Sequence, residues 1–155
     1  MNKAIAFTMM ILSMIFLGSC ADKTPKFTAD WPEPPDYEKK GFAHLYTVDK
    51  DDSGYLVTMI EFDKNKVKES GQMKFLEDHQ NSLKRNWAVN KVHNRKDIKY
   101  GDNPGLEYEI LSSMMKMKAR TYMIENRLYS IAVVVKPNKD WPEDADRFIQ
   151  SFKVQ

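Results

Sequence analysis

The chain has 155 residues with 24 basic and 22 acidic side chains, which gives a formal net charge of +2. This length suffices for one domain whose hydrophobic core needs neither a disulfide nor a metal to be stable. Because opposite charges are interleaved along the chain, the composition argues against a nucleic-acid-binding protein, which would carry a concentrated basic face.

Residues 1–19 have the organisation of a bacterial secretion signal. Lys3 supplies the positive start, and residues 4–17 are uncharged and mostly apolar. A helix over these fourteen residues would reach about 21 Å. That is short for a membrane-spanning helix and fits the apolar core of a signal peptide.

The segment that follows resembles the lipobox of bacterial lipoproteins, a large aliphatic residue and two small residues before a cysteine: Leu17, Gly18, Ser19 and Cys20. The resemblance implies cleavage before Cys20 and acylation of its thiol and amine, and two or three acyl chains hold a protein firmly in a membrane. Because Cys20 is the only cysteine, an internal disulfide is excluded. The alternatives are an ordinary signal peptide, an uncleaved anchor helix and an intermolecular disulfide.

Residues 20–25 are expected to form a lipidated tether, and residues 26–155 a single globular domain. The five residues after Cys20 span at most about 17 Å, so the domain would lie close to the membrane surface. Ala21 carries no acidic retention signal. By resemblance to the sorting rule of enteric bacteria, this favours the periplasmic face of the outer membrane over the inner membrane.

The start of the domain predicts three strands. Residues 27–31 form a short strand that ends at the proline-rich turn 32–35, because proline cannot donate to a sheet. Residues 42–48 and 55–62 are predicted to pair as a hairpin around the polar turn 49–54.

The clearest helix is predicted over residues 70–87, with Ser70 as its N-cap. Its buried face is marked by four apolar residues at helical spacing: Met73, Leu76, Leu83 and Trp87. Residues 89–100 are predicted to be extended, and residues 102–105 to form a turn.

Three further strands and a helix complete the chain. Residues 106–110 and 115–123 alternate apolar and charged side chains, as half-buried strands do. Residues 125–127 predict a tight hairpin turn in which Asn126 takes the positive φ. Residues 128–135 are apolar throughout and predict a central strand. A last helix is expected to open at residues 142–144, with proline in its first turn.

This order predicts an α+β fold, an antiparallel sheet of about six to seven strands packed with two main helices. Four segments in series resemble the motifs of a group of bacterial extracytoplasmic domains of the PsbP/Mog1 type: FTADWPEPP, PGLEYEI, ARTYMIENRLYSIAV and DRFIQSFKV. Glu33 stands where that group often has glycine. The resemblance implies an α/β/α sandwich and a binding or assembly-assisting role.

One candidate metal site is the predicted turn at 49–54. Asp49, Asp51, Ser53 and Gly54 match positions one, three, five and six of a calcium-binding EF-hand loop. The closing acid should stand at Ile60, however, and Glu61 comes one residue late. The favoured interpretation is an acidic hairpin turn, and weak calcium binding stays open.

Soft thioethers could hold Cu(I) on one predicted strand, which carries Met115, Met117 and Met123 on one face with Met114 beside them. The same alternation is typical of methionines that fill a core, and we favour that interpretation. His44, His79 and His93 lack the spacing of zinc ligands. The chain contains no recognisable catalytic motif.

Trp31 and Trp141 stand beside prolines, and we expect them to cap the core, although exposed they could anchor a partner. The leading hypothesis is a non-enzymatic, lipid-anchored domain that binds or helps assemble another envelope protein. A carrier or sensor of a small apolar ligand is the alternative, and it would need a cavity lined by side chains such as Leu76, Met117 and Met123. An enzyme of unknown type is the third hypothesis.

Overall fold

The computed structural model describes residues 26–89 and 91–155. In chain order the elements of this part are β1 (Phe27–Thr28), β2 (Asp36–Lys40), β3 (Ala43–Asp49), β4 (Ser53–Glu61), α1 (Lys64–Ser70), α2 (Gln72–Asn86), β5 (Val92–Tyr100), β6 (Asn103–Leu111), β7 (Lys116–Ile124), β8 (Arg127–Val135), α3 (Ala145–Ser151) and β9 (Lys153–Val154). None of these helices combines the length and apolar character needed to cross a bilayer.

Seven strands form one antiparallel sheet in the order β2-β3-β4-β8-β7-β6-β5. The short strands β1 and β9 pair separately as an antiparallel ribbon. β8 is the central strand, as its continuous apolar run predicts, because both of its faces are covered. The predicted α+β class and antiparallel sheet are confirmed, with three helices in place of the two expected.

Successive side chains of a strand point to opposite faces of the sheet, so the sheet separates two cores. The α2 cluster, on the face covered by α1 and α2, contains Leu56, Val67, Leu76, Leu83, Trp87, Leu106, Tyr108, Ile110, Met117, Ala119, Met123, Leu128, Ala132 and Val134. The α3 cluster, on the face covered by α3, contains Val48, Tyr55, Val57, Met59, Tyr122, Tyr129, Ile131, Val133, Val135, Ala145, Phe148, Ile149 and Phe152. Helices therefore cover both faces.

The helix predicted over residues 70–87 spans the end of one helix, α1, and the whole of the next, α2. Ser70 is not an N-cap. α2 begins at Gln72, and Gly71 before it has φ of 81°, a value that glycine adopts without strain. Ser70 is the last residue of α1, a helix that the apolar periodicity of the sequence does not indicate. The predicted apolar stripe is confirmed, since its fully buried members lie in the α2 cluster.

Several turns and ends differ from the prediction. Gly101 and Asp102 form the turn after β5, so residues 103–105 already belong to β6. In the turn after β7 the positive φ, 54°, belongs to Glu125 and not to Asn126. The final helix begins at Ala145, so the proline of the predicted first turn precedes the helix.

The polar edge strand β2 was missed because its sequence, DYEKK, shows no apolar alternation. β1 ends at Thr28, earlier than the predicted residue 31. The chain then crosses the α3 face, where Trp31 packs on Phe148 with ring centroids 4.9 Å apart. A segment can therefore be buried against a sheet without itself being a strand.

Candidate functional site

An open groove of about 520 Å³ lies between α1 and the β7–β8 turn. Lys64, Val67 and Lys68 line one side, and Gln72, Glu125 and Asn126 line the other. The groove is mixed in polarity, and it is lined by none of the side chains expected for an apolar ligand cavity.

Side-chain hydrogen bonds fasten this groove to the sheet. Gln72 Nε2 donates to the carbonyl oxygens of Met123 and Glu125 at 3.2 and 3.1 Å. Asn126 Nδ2 donates to the carbonyl oxygen of Phe62 at 2.7 Å. Because the side-chain amides of Gln72 and Asn126 both donate to backbone carbonyl oxygens, they fix the relative positions of α2, the β7–β8 turn and the end of β4.

α1 itself is short but well capped. Asp63 Oδ1 accepts hydrogen bonds from the backbone N–H groups of Asn65 at 2.9 Å and Lys66 at 3.1 Å. Phe62 and Val67, on either side of this cap, both pack into the α2 cluster, the arrangement of a hydrophobic staple. This combination of an N-cap aspartate with flanking apolar residues is the sequence signal that could have predicted α1.

The exposed surface of α1 is cationic. Lys64, Lys66 and Lys68 are exposed, and none forms an ion pair with another described residue. Glu69 is the only acid within α1, and Glu125 lies across the groove. An arrangement of exposed ammonium groups can bind anions, but it offers no activated nucleophile and no paired carboxylates.

The end of the sheet beside α1 also receives the start of the domain. The β1 residue Phe27 pairs with Val154, whose backbone N–H donates to the hydroxyl of Tyr100 at 2.9 Å. Tyr100 is the last residue of β5. Because β4, β7 and β5 run in the same direction, all three strands finish at the same end of the sheet. Lys26, whose carbonyl accepts from the backbone N–H of Gln155, therefore lies at the α1 end.

The predicted acidic turn is confirmed as a tight hairpin. Lys50 and Ser53 exchange two backbone hydrogen bonds of 2.8 and 3.3 Å. Asp49 is paired with Gly54 in the β3–β4 ladder. Burial and the nearby Asp36 raise the pKa of the Asp49 carboxyl.

The residues required to close a calcium loop lie elsewhere. Ile60 and Glu61 are at the far end of the nine-residue strand β4, where Glu61 approaches Arg127 at 3.5 Å. In the turn, hydrogen bonds from Lys136 and then Lys139 lower the pKa of the Asp52 carboxyl. The segment therefore forms a hairpin in which Lys136 and Lys139 engage Asp52.

The methionines do not share one environment. Met117 and Met123 are buried in the α2 cluster, and Met115 is partly buried against it. Met114 is 53% exposed at the loop after β6. The core-filling interpretation is confirmed for Met117 and Met123.

The three histidines are separated. The His44 Nδ1 atom is 2.9 Å from the hydroxyl of Tyr37, and His93 lies opposite Glu109 in the β5–β6 ladder. His79 is buried in α2 with neither ring nitrogen hydrogen-bonded. Within residues 26–89 and 91–155, no group of three or more His, Cys, Asp and Glu side chains is arranged to hold a metal ion.

A row of hydroxyls crosses the α2 face of the sheet. The Tyr108 hydroxyl is 3.1 Å from Thr121 Oγ1, which donates to Ser130 Oγ at 3.4 Å. Burial raises the pKa of Tyr108 to about 12, so this hydroxyl stays protonated at neutral pH. Hydroxyls that contact one another, with no base among these contacts, satisfy buried polar atoms and do not form a nucleophile.

The two tryptophans cap the α3 cluster, as expected. Trp141 is half-buried with the ammonium groups of Lys116 and Lys118 each 5.2 Å from its ring centroid. Lys118 also pairs with Asp146 at 2.9 Å. The stacked lysines cover part of the indole, in the manner of a cation–π contact.

The predicted lipobox residues Leu17, Gly18, Ser19 and Cys20 lie outside the described residues. The chain matches no protein-family profile and no curated protein at a significant level.

Proposed function

We propose that this chain is a lipid-anchored protein of a bacterial cell envelope, whose domain binds or helps assemble another envelope protein and catalyses no reaction. The observation that carries the proposal is the position of Cys20, the only cysteine, directly after an apolar export sequence. The first strand begins at Phe27, so only a short tether separates the domain from the anchor. By the sorting argument, the periplasmic face of the outer membrane is its proposed place.

A PsbP/Mog1-like fold is part of the proposal. Its support is the sequence resemblance, together with a central antiparallel sheet that carries helices on both faces. Binding and assembly roles are common among domains of that type, which favours a partner protein over a substrate. Fold likeness supports architecture more strongly than activity.

The disposition of the polar side chains supports a non-enzymatic role. The hydroxyls of the row on the sheet hydrogen-bond to one another, and Asp52 of the β3–β4 turn is engaged by two lysines. The alternative of an apolar-ligand carrier receives less support. Leu76 and Met123 are 0% exposed and Met117 is 4% exposed, so side chains fill the region where the ligand was expected.

The anchor is tested with Cys20→Ala in the producing bacterium. The parent protein should sediment with membranes, resist extraction by salt and carry diacylglyceryl and acyl groups on Cys20 in its mass spectrum. The Cys20→Ala protein should carry no lipid and should remain unprocessed. Ser19→Ala is the matched control, because alanine preserves a small residue before the cysteine and should leave processing intact. A bare thiol in the parent would refute the anchor.

The binding role is tested by cross-linking intact envelopes and purifying the lipidated protein with its neighbours. We expect the same envelope protein in independent preparations, with no enrichment from cells that produce the Cys20→Ala chain. Cross-links that never return a reproducible partner would count against the assembly role and leave the anchor intact.

A further inference from the structure

The lysines of α1 differ from those at the opposite end of the sheet. At that opposite end, Lys136 and Lys139 approach Asp52 at 2.5 and 2.9 Å. Exposed pairs of this kind are weak, but they neutralise charge locally. Lys64, Lys66 and Lys68 form no such ion pair with a described residue. The domain therefore presents three unneutralised ammonium groups on α1.

The start of the domain lies at this same end. Lys26 is held there through Gln155, and the hydrogen bond from Val154 to Tyr100 ties the β1–β9 ribbon to the end of β5. Five residues separate Lys26 from Cys20, so these two residues lie at most about 21 Å apart. An anchor on so short a tether keeps the α1 end within reach of the lipid surface and places the β3–β4 turn on the far side.

We infer that the α1 end docks on anionic lipid headgroups, with Lys64, Lys66 and Lys68 as the contact residues. This inference rests on the proposed lipid anchor. The position of α1 supports it, because Asp63 caps the helix and the hydrogen bonds of Gln72 and Asn126 fix the segments on either side of α1 to the β7–β8 turn. Lysines near an anionic surface are attracted individually over roughly a Debye length. The docked orientation leaves Met114 and the β6–β7 loop directed away from the membrane.

The experiment measures which end of the lipidated protein approaches the bilayer. A single reactive thiol is introduced at Asn65→Cys on α1 or, as the positional control, at Ser113→Cys in the β6–β7 loop, and is labelled with a fluorophore. The protein is reconstituted into vesicles of phosphatidylglycerol or of phosphatidylcholine, each with a headgroup-attached quencher. We expect strong quenching at residue 65 only in phosphatidylglycerol, several-fold above that at residue 113, and its loss at high salt.

Two charge-matched variants identify the contact. Lys64→Gln with Lys66→Gln and Lys68→Gln should abolish the quenching at residue 65. Lys50→Gln with Lys136→Gln and Lys139→Gln removes the same charge from the opposite end and should leave the quenching unchanged. Equal quenching at both label positions, or indifference to the α1 substitutions, would overturn the inference.

Flotation separates this inference from the anchor proposal. A protein that floats with phosphatidylcholine vesicles but shows no preference for residue 65 keeps its anchor and loses the docking. A protein that floats only with phosphatidylglycerol, and only with the α1 lysines intact, keeps the docking and loses the anchor. A protein that floats with neither loses both.

Discussion

The two cores on either side of the sheet are built in different ways. The α2 cluster comes mainly from elements whose alternation or helical period is visible in the sequence, such as β6, β7, β8 and α2. The α3 cluster is completed by aromatic side chains from outside the main sheet, including Phe27, Trp31 and Trp141. A periodic pattern thus accounts for one core, whereas the other depends on segments that are distant in sequence.

Both cores also contain buried polar groups. In the α3 cluster the Tyr55 hydroxyl donates to Asp144 Oδ1 at 2.5 Å, so the polar tip reaches a partner at the cluster's edge. On the α2 side, both ring nitrogens of His79 are buried without a hydrogen-bond partner. The Tyr46 hydroxyl, which packs against the α3 cluster, is likewise buried without a partner. A buried polar atom without a partner lowers stability, so each side of the sheet contains a weak point.

The largest expected effect comes from removing the centre of the α3 cluster. Phe148 is 0% exposed and touches Trp31 and Tyr55 with centroid distances of 4.9 and 5.3 Å. Phe148→Ala should lower the free energy of unfolding by about 3–5 kcal/mol, as truncation of a buried aromatic does. Urea unfolding followed by tryptophan fluorescence measures the loss.

Leu76→Ala is the matched change in the α2 cluster, since Leu76 is also 0% exposed. Its expected cost is about 2–5 kcal/mol. If Phe148→Ala costs less than Leu76→Ala, the aromatic segments contribute little, and the proposed difference between the two cores is wrong.

The next effect is the pH dependence introduced by His79. Burial lowers the pKa of His79 to about 4 from 6.5. Above pH 6.5 the imidazole is neutral in both the folded and unfolded states. Between pH 6.5 and 4 only the unfolded state takes up the proton, so stability falls, and below pH 4 the loss levels off. The shift corresponds to a total of about 3 kcal/mol.

His79→Leu should remove this loss, which is measured as the difference between unfolding free energies at pH 7 and pH 4.5. His93→Leu is the matched control, because His93 is only partly buried in β5. An unchanged pH dependence in His79→Leu would contradict the assignment.

The smallest expected effect tests the close approach of the Gly105 backbone to Tyr122 beneath the α3 cluster. A Cβ on Gly105 would lie 2.5 Å from Cδ1 of Tyr122 and 2.8 Å from the carbonyl oxygen of Thr121. Gly105→Ala should therefore destabilise the protein by about 1–3 kcal/mol, the usual cost of overpacking. In the Tyr122→Ala background the ring clash disappears and the backbone clash remains, so part of the cost should persist. An alanine that costs nothing in either background would refute the close approach.

The contrast between the cores also explains what the sequence could predict. The alternation in β7 and the apolar run of β8 follow from the period of two, and both strands lie where expected. The sequence did not predict β2, because an exposed edge strand needs no apolar face. α1 escaped because its seven residues bury only Val67, too few for a helical stripe. The sequence also could not predict the cationic surface of α1, because which other lysines form ion pairs depends on tertiary contacts.

The sheet's two edges have a consequence for molecules held side by side. β2 and β5 are the edge strands, and their sequences are DYEKK and VHNRKDIKY. β5 also carries an irregularity between His93 and Lys96, where Asn94 has φ of 51°. Charged or kinked edge strands resist pairing with the edge strand of a neighbouring molecule. Neighbouring copies are thus disfavoured from polymerising into a continuous β-structure.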